Sequence, residues 1–205
     1  MSEFSPQLLK ARITHSRLFF AALLPVLLFT GSSWVANTPF GALLLTWVGI
    51  FLIVAGMFIR VLCTLYVGGR KNDVLVDIGC FSVVRNPLYV GSFIALLGVG
   101  LQTASLTLTA LLAIGFMLYY PRVVAKEEAF LQHQFGDAYA AYCARVPRWI
   151  PKLSRWSAPE EITVKQAYVL RTFRDAVPFV AVGLVLQIIQ LLQLQDQLPV
   201  IIYLP

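Results

Sequence analysis

The feature that most constrains this chain is a succession of apolar runs, each close to the thickness of a bilayer. A spanning helix needs roughly 20 mostly apolar residues, and five segments approach this: about 18–36, 40–67, 86–101, 104–125 and 176–195. A soluble domain cannot bury that much apolar sequence. Of the 205 residues, 59% are hydrophobic and 13% charged, and the mean hydropathy is +0.77, far from the profile of a globular protein in water. The reading is an all-α integral membrane protein with about five transmembrane helices. The third run is short, and Gln102-Thr103-Ala104-Ser105 joins it to the fourth as a tight hairpin. The first run exceeds the apolar core of a cleavable leader and lacks a small-residue cleavage site, so it is expected to be retained as a span.

Charge placement orients these spans, because Lys and Arg accumulate on the cytoplasmic side. Lys10, Arg12 and Arg17 precede the first run, and Arg60, Arg70, Lys71 and Arg85 lie at or between the ends of the second and third. Arg122, Lys126, Arg145, Arg148, Lys152, Arg155, Lys165, Arg171 and Arg174 fall between the fourth and fifth. The opposite connections, Gly31 to Phe40 and Gln102 to Ser105, carry no charge. The expected topology has a cytoplasmic N-terminus, an outer C-terminus and all polar chemistry at the cytoplasmic face. The net charge of +6 is then explained by the membrane, with lipids as partners and no nucleic acid.

Cys63, Cys80 and Cys143 are widely separated, without CxxC spacing, so they are expected to be free thiols with no metal site. Gly68-Gly69 lacks the spacing of a nucleotide-binding loop. The chain divides into an N-terminal region with two transmembrane helices (1–67), a core (68–160) and an amphipathic helix with the last span (161–205). Within the core, a loop over 68–85 enters the third run at Asn86-Pro87, where proline suits a first helical turn. KEEAFLQHQFGDAYAAYCARV shows helical spacing interrupted at Gly136 and is expected to lie along the membrane surface. Pro147, Pro151 and Pro159 make 147–160 an irregular basic connector whose Arg148-Trp149 and Arg155-Trp156 suit the headgroup region.

Two stretches place polar groups where the bilayer makes them costly. In Arg85-Asn86-Pro87-Leu88-Tyr89-Val90-Gly91, an arginine and an amide stand at the mouth of a span, with a tyrosine one turn inside. Glu127-Glu128 follows the fourth run, with Arg122 about one and a half turns earlier. Ionised groups cost about 2.5–3.5 kcal/mol near a span's centre and less toward its end, so these should be paired, solvated or functional. Alone, Arg85 reads as a snorkelling anchor and the acidic pair as a helix-terminal feature.

Taken together, RNPLYVG, an apolar hairpin and EEAFLQHQFGDAYAAYCARVPRWIP resemble the C-terminal region of the isoprenylcysteine carboxyl methyltransferases and related phospholipid methyltransferases. The pattern there is RHPxYxG followed by EExxLxxxFGxxYxxYxxxVPxxxP, and the resemblance covers about residues 76–151. It implies a helical bundle whose cytoplasmic end, closed by amphipathic helices and loops, holds S-adenosylmethionine while a lipophilic or prenylated substrate enters from the bilayer. Arg85, Asn86, Tyr89, Gly91, Glu127 and Glu128 would then belong to the cofactor pocket, and Arg85 and Arg122 would be the catalytic cations. Gly79 and Phe81 match a glycine and an aromatic before the arginine, while Tyr139, Tyr142, Val146 and Pro147 match the closing segment.

Two positions depart from the pattern: Asn86 replaces histidine, and Phe81 replaces the commoner tyrosine. An amide donates and accepts hydrogen bonds but shuttles no proton. The chain's two histidines, His15 and His133, lie elsewhere, so catalysis is expected to rest on orientation. A nicotinamide-dependent sterol-reductase-like enzyme and a non-catalytic membrane scaffold are the competing readings. The acidic pair and Phe135-Gly136 argue against the first, and charges gathered at one end rather than at the midplane argue against a transporter.

Overall fold

The computed structural model describes residues 28–68 and 74–205. In chain order these form β1 (Thr30–Ser32), α1 (Ser33–Asn37), α2 (Pro39–Val67), α3 (Cys80–Val83), α4 (Pro87–Leu101), α5 (Leu106–Phe135), α6 (Asp137–Arg145), a 3-10 turn (Leu153–Arg155), α7 (Gln166–Leu194) and β2 (Ile202–Leu204). Among the described residues, α2, α5 and α7 are long and apolar enough to cross a membrane, and α4 is a shorter apolar helix. The fold is that of an all-α membrane protein. Most of the expected first span, together with Lys10, Arg12, His15, Arg17, Gly69, Arg70 and Lys71, lies outside the described residues. The described part of that span is not one continuous helix, because β1 interrupts it.

Helix ends follow local chemistry. Pro39 and Pro87 stand in the first turns of α2 and α4, where the missing N–H costs nothing. The Ser105 hydroxyl accepts from the Leu108 N–H at 3.3 Å and caps α5. Gly136, at φ +51°, separates α5 from α6 in a backbone region that glycine enters without strain. Two expected boundaries are absent. α5 runs unbroken from the membrane through Glu127-Glu128 to Phe135, because Lys126 to Gln134 are mostly good helix formers with no breaker before Gly136. The amphipathic segment near 166–175 likewise merges with the last span into α7, which continues through Pro178.

Water does not drive helices together inside a bilayer, so close packing there depends on small residues. α2 and α4 meet in this way, with Gly56 facing Gly91 and Ala95, and Gly49 facing Gly98 and Gln102. A Cβ on Gly56 would collide with the Gly91 carbonyl and approach the Ala95 nitrogen at 2.6 Å, whereas one on Gly115 meets nothing within 4 Å. Gly56→Ala is therefore expected to destabilise the bundle by about 1–3 kcal/mol, read as a lower unfolding midpoint in detergent. Gly115→Ala, the control, should leave the midpoint in place or raise it.

Far from Arg85, Gln102 is 1% exposed and ties three helices. Its Nε2 donates to the Thr46 carbonyl at 3.0 Å, its Oε1 accepts from Gln187 at 2.7 Å, and its backbone carbonyl accepts from Gln190 at 2.9 Å. β1 and β2 pair in parallel beside this cluster, and the Pro205 carbonyl accepts from the Ser105 hydroxyl at 2.9 Å. The C-terminal tail and the Gln102–Ser105 turn thus share one end of the bundle, while the polar motifs share the other.

Candidate active site

The first turn of α4 and the last third of α5 bring the two polar motifs together. Adjacent helical residues point about 100° apart, so Glu127 and Glu128 serve different partners. Glu127 Oε2 accepts from the Tyr89 hydroxyl at 3.0 Å. Glu128 Oε1 accepts from Asn86 Nδ2 at 3.0 Å and lies 3.6 Å from Arg85 Nη1, and its Oε2 lies 3.0 Å from Arg148 Nε. Asn86 does not cap α4 with its side chain. Its amide instead bridges Glu128 and the Arg148 carbonyl, the latter at 3.3 Å.

Arg85 is pinned on a further side, donating from Nη1 to Cys143 Sγ at 2.8 Å and from its backbone N–H to the Pro147 carbonyl at 2.9 Å. Burial works against its charge, but Glu128 and then Cys143 more than offset this and hold it protonated. Arg85 Nε is nonetheless buried without a hydrogen-bond acceptor among the described residues, whereas Arg148 Nε, though not aligned to donate, is paired with Glu128 Oε2 at 3.0 Å. Two cations sharing one carboxylate, with donors left over, leave this end of the bundle receptive to an anionic oxygen.

The segment closing the site is packed from below. Tyr139, Tyr142 and Val146 form a buried cluster with Leu75, Leu131 and Phe135, and the Tyr142 hydroxyl donates to the Phe81 carbonyl at 2.9 Å. Burial first, then Glu128 for Tyr139 and Tyr139 for Tyr142, raises both phenol pKa values above their ordinary range. Both rings therefore remain protonated donors. Residues 147–157 are strapped across α3: Lys152 N–H donates to the Val83 carbonyl at 2.9 Å, and Gly79 N–H to the Ser157 carbonyl at 2.7 Å. Gly79 has φ +58° and lies against the Tyr66 ring, so no side chain fits there.

Between these parts lies a cleft of about 690 Å³, counted out to its mouth, lined by Val67, Leu75, Phe81, Arg85, Asn86, Leu88, Tyr89, Glu127, Leu131, Tyr139 and Tyr142. The family model of the phospholipid methyltransferases matches residues 37–138 of this chain. A cobalt-zinc-cadmium resistance protein of Cupriavidus metallidurans is 37% identical over 182 residues, 88% of this chain and 82% of its own. A nickel-cobalt-cadmium resistance protein of Alcaligenes xylosoxydans xylosoxydans is 34% identical over 180 residues, 88% of this chain and 84% of its own. The chain belongs to the phospholipid methyltransferase family.

A shorter match, 36% over 82 residues, links it to the protein-S-isoprenylcysteine O-methyltransferase of Schizosaccharomyces pombe and covers 40% of this chain and 35% of that one. No solved structure matches. Family membership makes this a membrane methyltransferase.

Of the residues singled out from sequence, Arg85, Asn86, Tyr89, Glu127 and Glu128 converge around the cleft or its wall. Gly91 does not line it: a Cβ there would meet the Gly56 carbonyl at 2.8 Å and Arg60 Cγ at 3.1 Å, so this glycine makes room for α2. Arg122 is exposed on α5 and donates to the Leu118 carbonyl at 2.6 Å, away from the cleft. Arg148 and Cys143 escaped sequence reasoning because both occupy variable positions of the closing pattern. The flanking prolines around Arg148 were the available signal, since they fix the backbone from which it reaches Glu128.

Proposed function

We propose that this chain transfers a methyl group from S-adenosylmethionine to a lipophilic acceptor, an isoprenylcysteine-like carboxylate being the leading class, with the cleft facing the cytoplasm. In this reading residues 68–160 are the methyltransferase core, flanked by the helices of 1–67 and 161–205. The observation that carries it is the convergence of Arg85, Asn86, Tyr89 and Glu127 on one cleft at the N-terminal end of α4.

The residues present fit the cofactor. The unsatisfied Nε of Arg85 suits its carboxylate, and Glu127 suits its ammonium or ribose hydroxyls. When bound, S-adenosylmethionine supplies a methyl group activated by a sulfonium. Glu128, held by Asn86, Arg85 and Arg148, fixes the arginines in place, while Val67, Pro87 and Leu88 give the cleft an apolar wall that excludes water. No cleft residue is a histidine, and Asn86 moves no proton. With Glu127 given to the cofactor, an acceptor that arrives ionised needs no base, which favours a carboxylate or thiolate and leaves orientation as the protein's contribution. Two relatives are named for metal resistance. Among the described residues no three His, Cys, Asp or Glu side chains gather, so our reading for this chain is modification of a membrane component.

Binding of S-adenosylhomocysteine and of NADPH to the purified protein tests this. S-adenosylhomocysteine should bind and NADPH should not, whereas binding of NADPH alone would reverse the assignment to the reductase. Glu127→Gln is expected to weaken S-adenosylhomocysteine about tenfold, or about 1.4 kcal/mol, without changing the unfolding midpoint. Unchanged affinity would remove Glu127 from the cofactor site.

A further inference from the structure

We propose that Arg60 on α2 and Ser92 on α4 form a site inside the bilayer for the anionic head of the acceptor, a carboxylate carried on an apolar tail. This rests on the methyltransferase reading of the adjoining cleft. Arg60 is the single charged residue among the 29 of α2, and it lies seven residues before the helix end, about 10 Å into the bundle. The stripe Gly49, Ile53, Gly56, Cys63 on the same helix is buried, and Arg60 falls within it. The arginine therefore faces α4 rather than lipid.

An arginine at this depth would ordinarily snorkel toward the interface. Arg60 does the opposite. The glycine contacts fix an antiparallel register, with Gly56 opposite Gly91 and Ala95, and Gly49 opposite Gly98 and Gln102. Continued one turn, that register sets the Arg60 backbone level with Leu88 and Tyr89. Its stem instead runs past Gly91, in the space that the missing side chain leaves, and Nη1 donates to the Ser92 hydroxyl. The guanidinium thus sits about 4–5 Å deeper in the bundle than its own Cα.

Among the described residues nothing neutralises that charge. The ion pairs among the described residues involve Arg85, Arg145 and Arg148, not Arg60. Ser92 spends its own proton on the Leu88 carbonyl at 2.8 Å, so it orients the guanidinium through a lone pair without supplying charge. Four of the five N–H donors remain, enough for a two-pronged contact with a carboxylate. One guanidinium matches one negative charge, which favours a carboxylate over a phosphate. Ionisable groups inside spans mark binding or transport sites by default. This one lies about 6 Å, a single turn of α4, below Leu88 in the cleft wall. Gly91, the last residue of the RNPLYVG motif, would then serve the acceptor by making room for Arg60.

The test uses the full chain in nanodiscs of zwitterionic phosphatidylcholine, with oleate, oleyl alcohol and dioleoyl phosphatidate as probes at a pH where oleate is ionised. Oleate should bind at least tenfold more tightly than oleyl alcohol. Arg60→Gln should abolish that preference while S-adenosylhomocysteine affinity stays unchanged, Arg60→Lys should retain part of it, and Ser92→Ala should weaken oleate binding without changing S-adenosylhomocysteine. An absent preference in the unmodified chain, or one surviving Arg60→Gln, overturns the site. Tighter binding of phosphatidate than of oleate overturns the carboxylate assignment. Failure of the unmodified chain to bind S-adenosylhomocysteine would sink the cofactor reading, whereas an oleate preference lost in Arg60→Gln would still support the anion site.

Discussion

Glu128→Ala is expected to loosen the whole closing segment, at a cost of about 2–4 kcal/mol. The change removes the one carboxylate shared by Arg85, Arg148 and Asn86 and leaves two guanidiniums facing each other. Removing one partner of a buried pair costs about 3–5 kcal/mol. The Glu128 and Arg85 side chains are 15% and 18% exposed, but Arg148 is at 35%, so its share must be discounted for screening by water. Freed from Glu128, residues 147–157 should open, and trypsin should cut after Arg148 and Lys152 much faster than in the unmodified protein. Glu127→Gln, whose partner Tyr89 lies on α4, should resist as before. Adding Arg148→Met to Glu128→Ala should restore part of the resistance at Lys152, the site that both variants keep, because it removes the orphaned charge. Equal cleavage of Glu128→Ala and unmodified protein would show that the clamp does not hold the segment.

That contrast between neighbours marks how far the sequence could be read. Apolar run length revealed α2, α5 and α7, because a bilayer imposes one length and one composition on any span. It could not reveal that α5 continues to Phe135, since the end of a run of apolar residues is not the end of a helix when good helix formers follow. The pairing of RNPLY with EE was legible as a motif, but the split between Glu127 and Glu128 depends on helical phase against two different neighbours. Gly91 and Arg122 show the opposite limit. Both sit at the right place in the pattern or the charge map, yet one is spent on backbone approach to Gly56 and the other turns along its own helix. From sequence alone, Asn86 is an amide that hydrogen-bonds but moves no proton. In the fold, its amide reaches both a carboxylate and a carbonyl, so it serves as a bridge.

Arg85→Lys is expected to lower methyl transfer at least a hundredfold while the protein still folds and inserts, and Arg85→Ala to lower it at least as far. A lysine would preserve one positive charge beside Glu128 and the backbone bond to Pro147, so charge and local fold are retained. It would lose the planar guanidinium that sets Nη1 between Glu128 and Cys143 while holding Nε inside the wall, and a point charge does not reproduce that geometry. Losing one preorganised charged donor at a reacting centre typically costs about 10²–10³ in rate. The measurement is kcat/KM with labelled cofactor, beside the S-adenosylhomocysteine affinity of each variant. A fall in rate with little change in affinity assigns Arg85 to the reacting centre, whereas matching falls assign it to cofactor binding. If Arg85→Lys works at nearly the normal rate, Arg85 is a membrane-end anchor of the kind any cytoplasmic loop carries. The methyl acceptor would then have to be oriented by Arg60 without it.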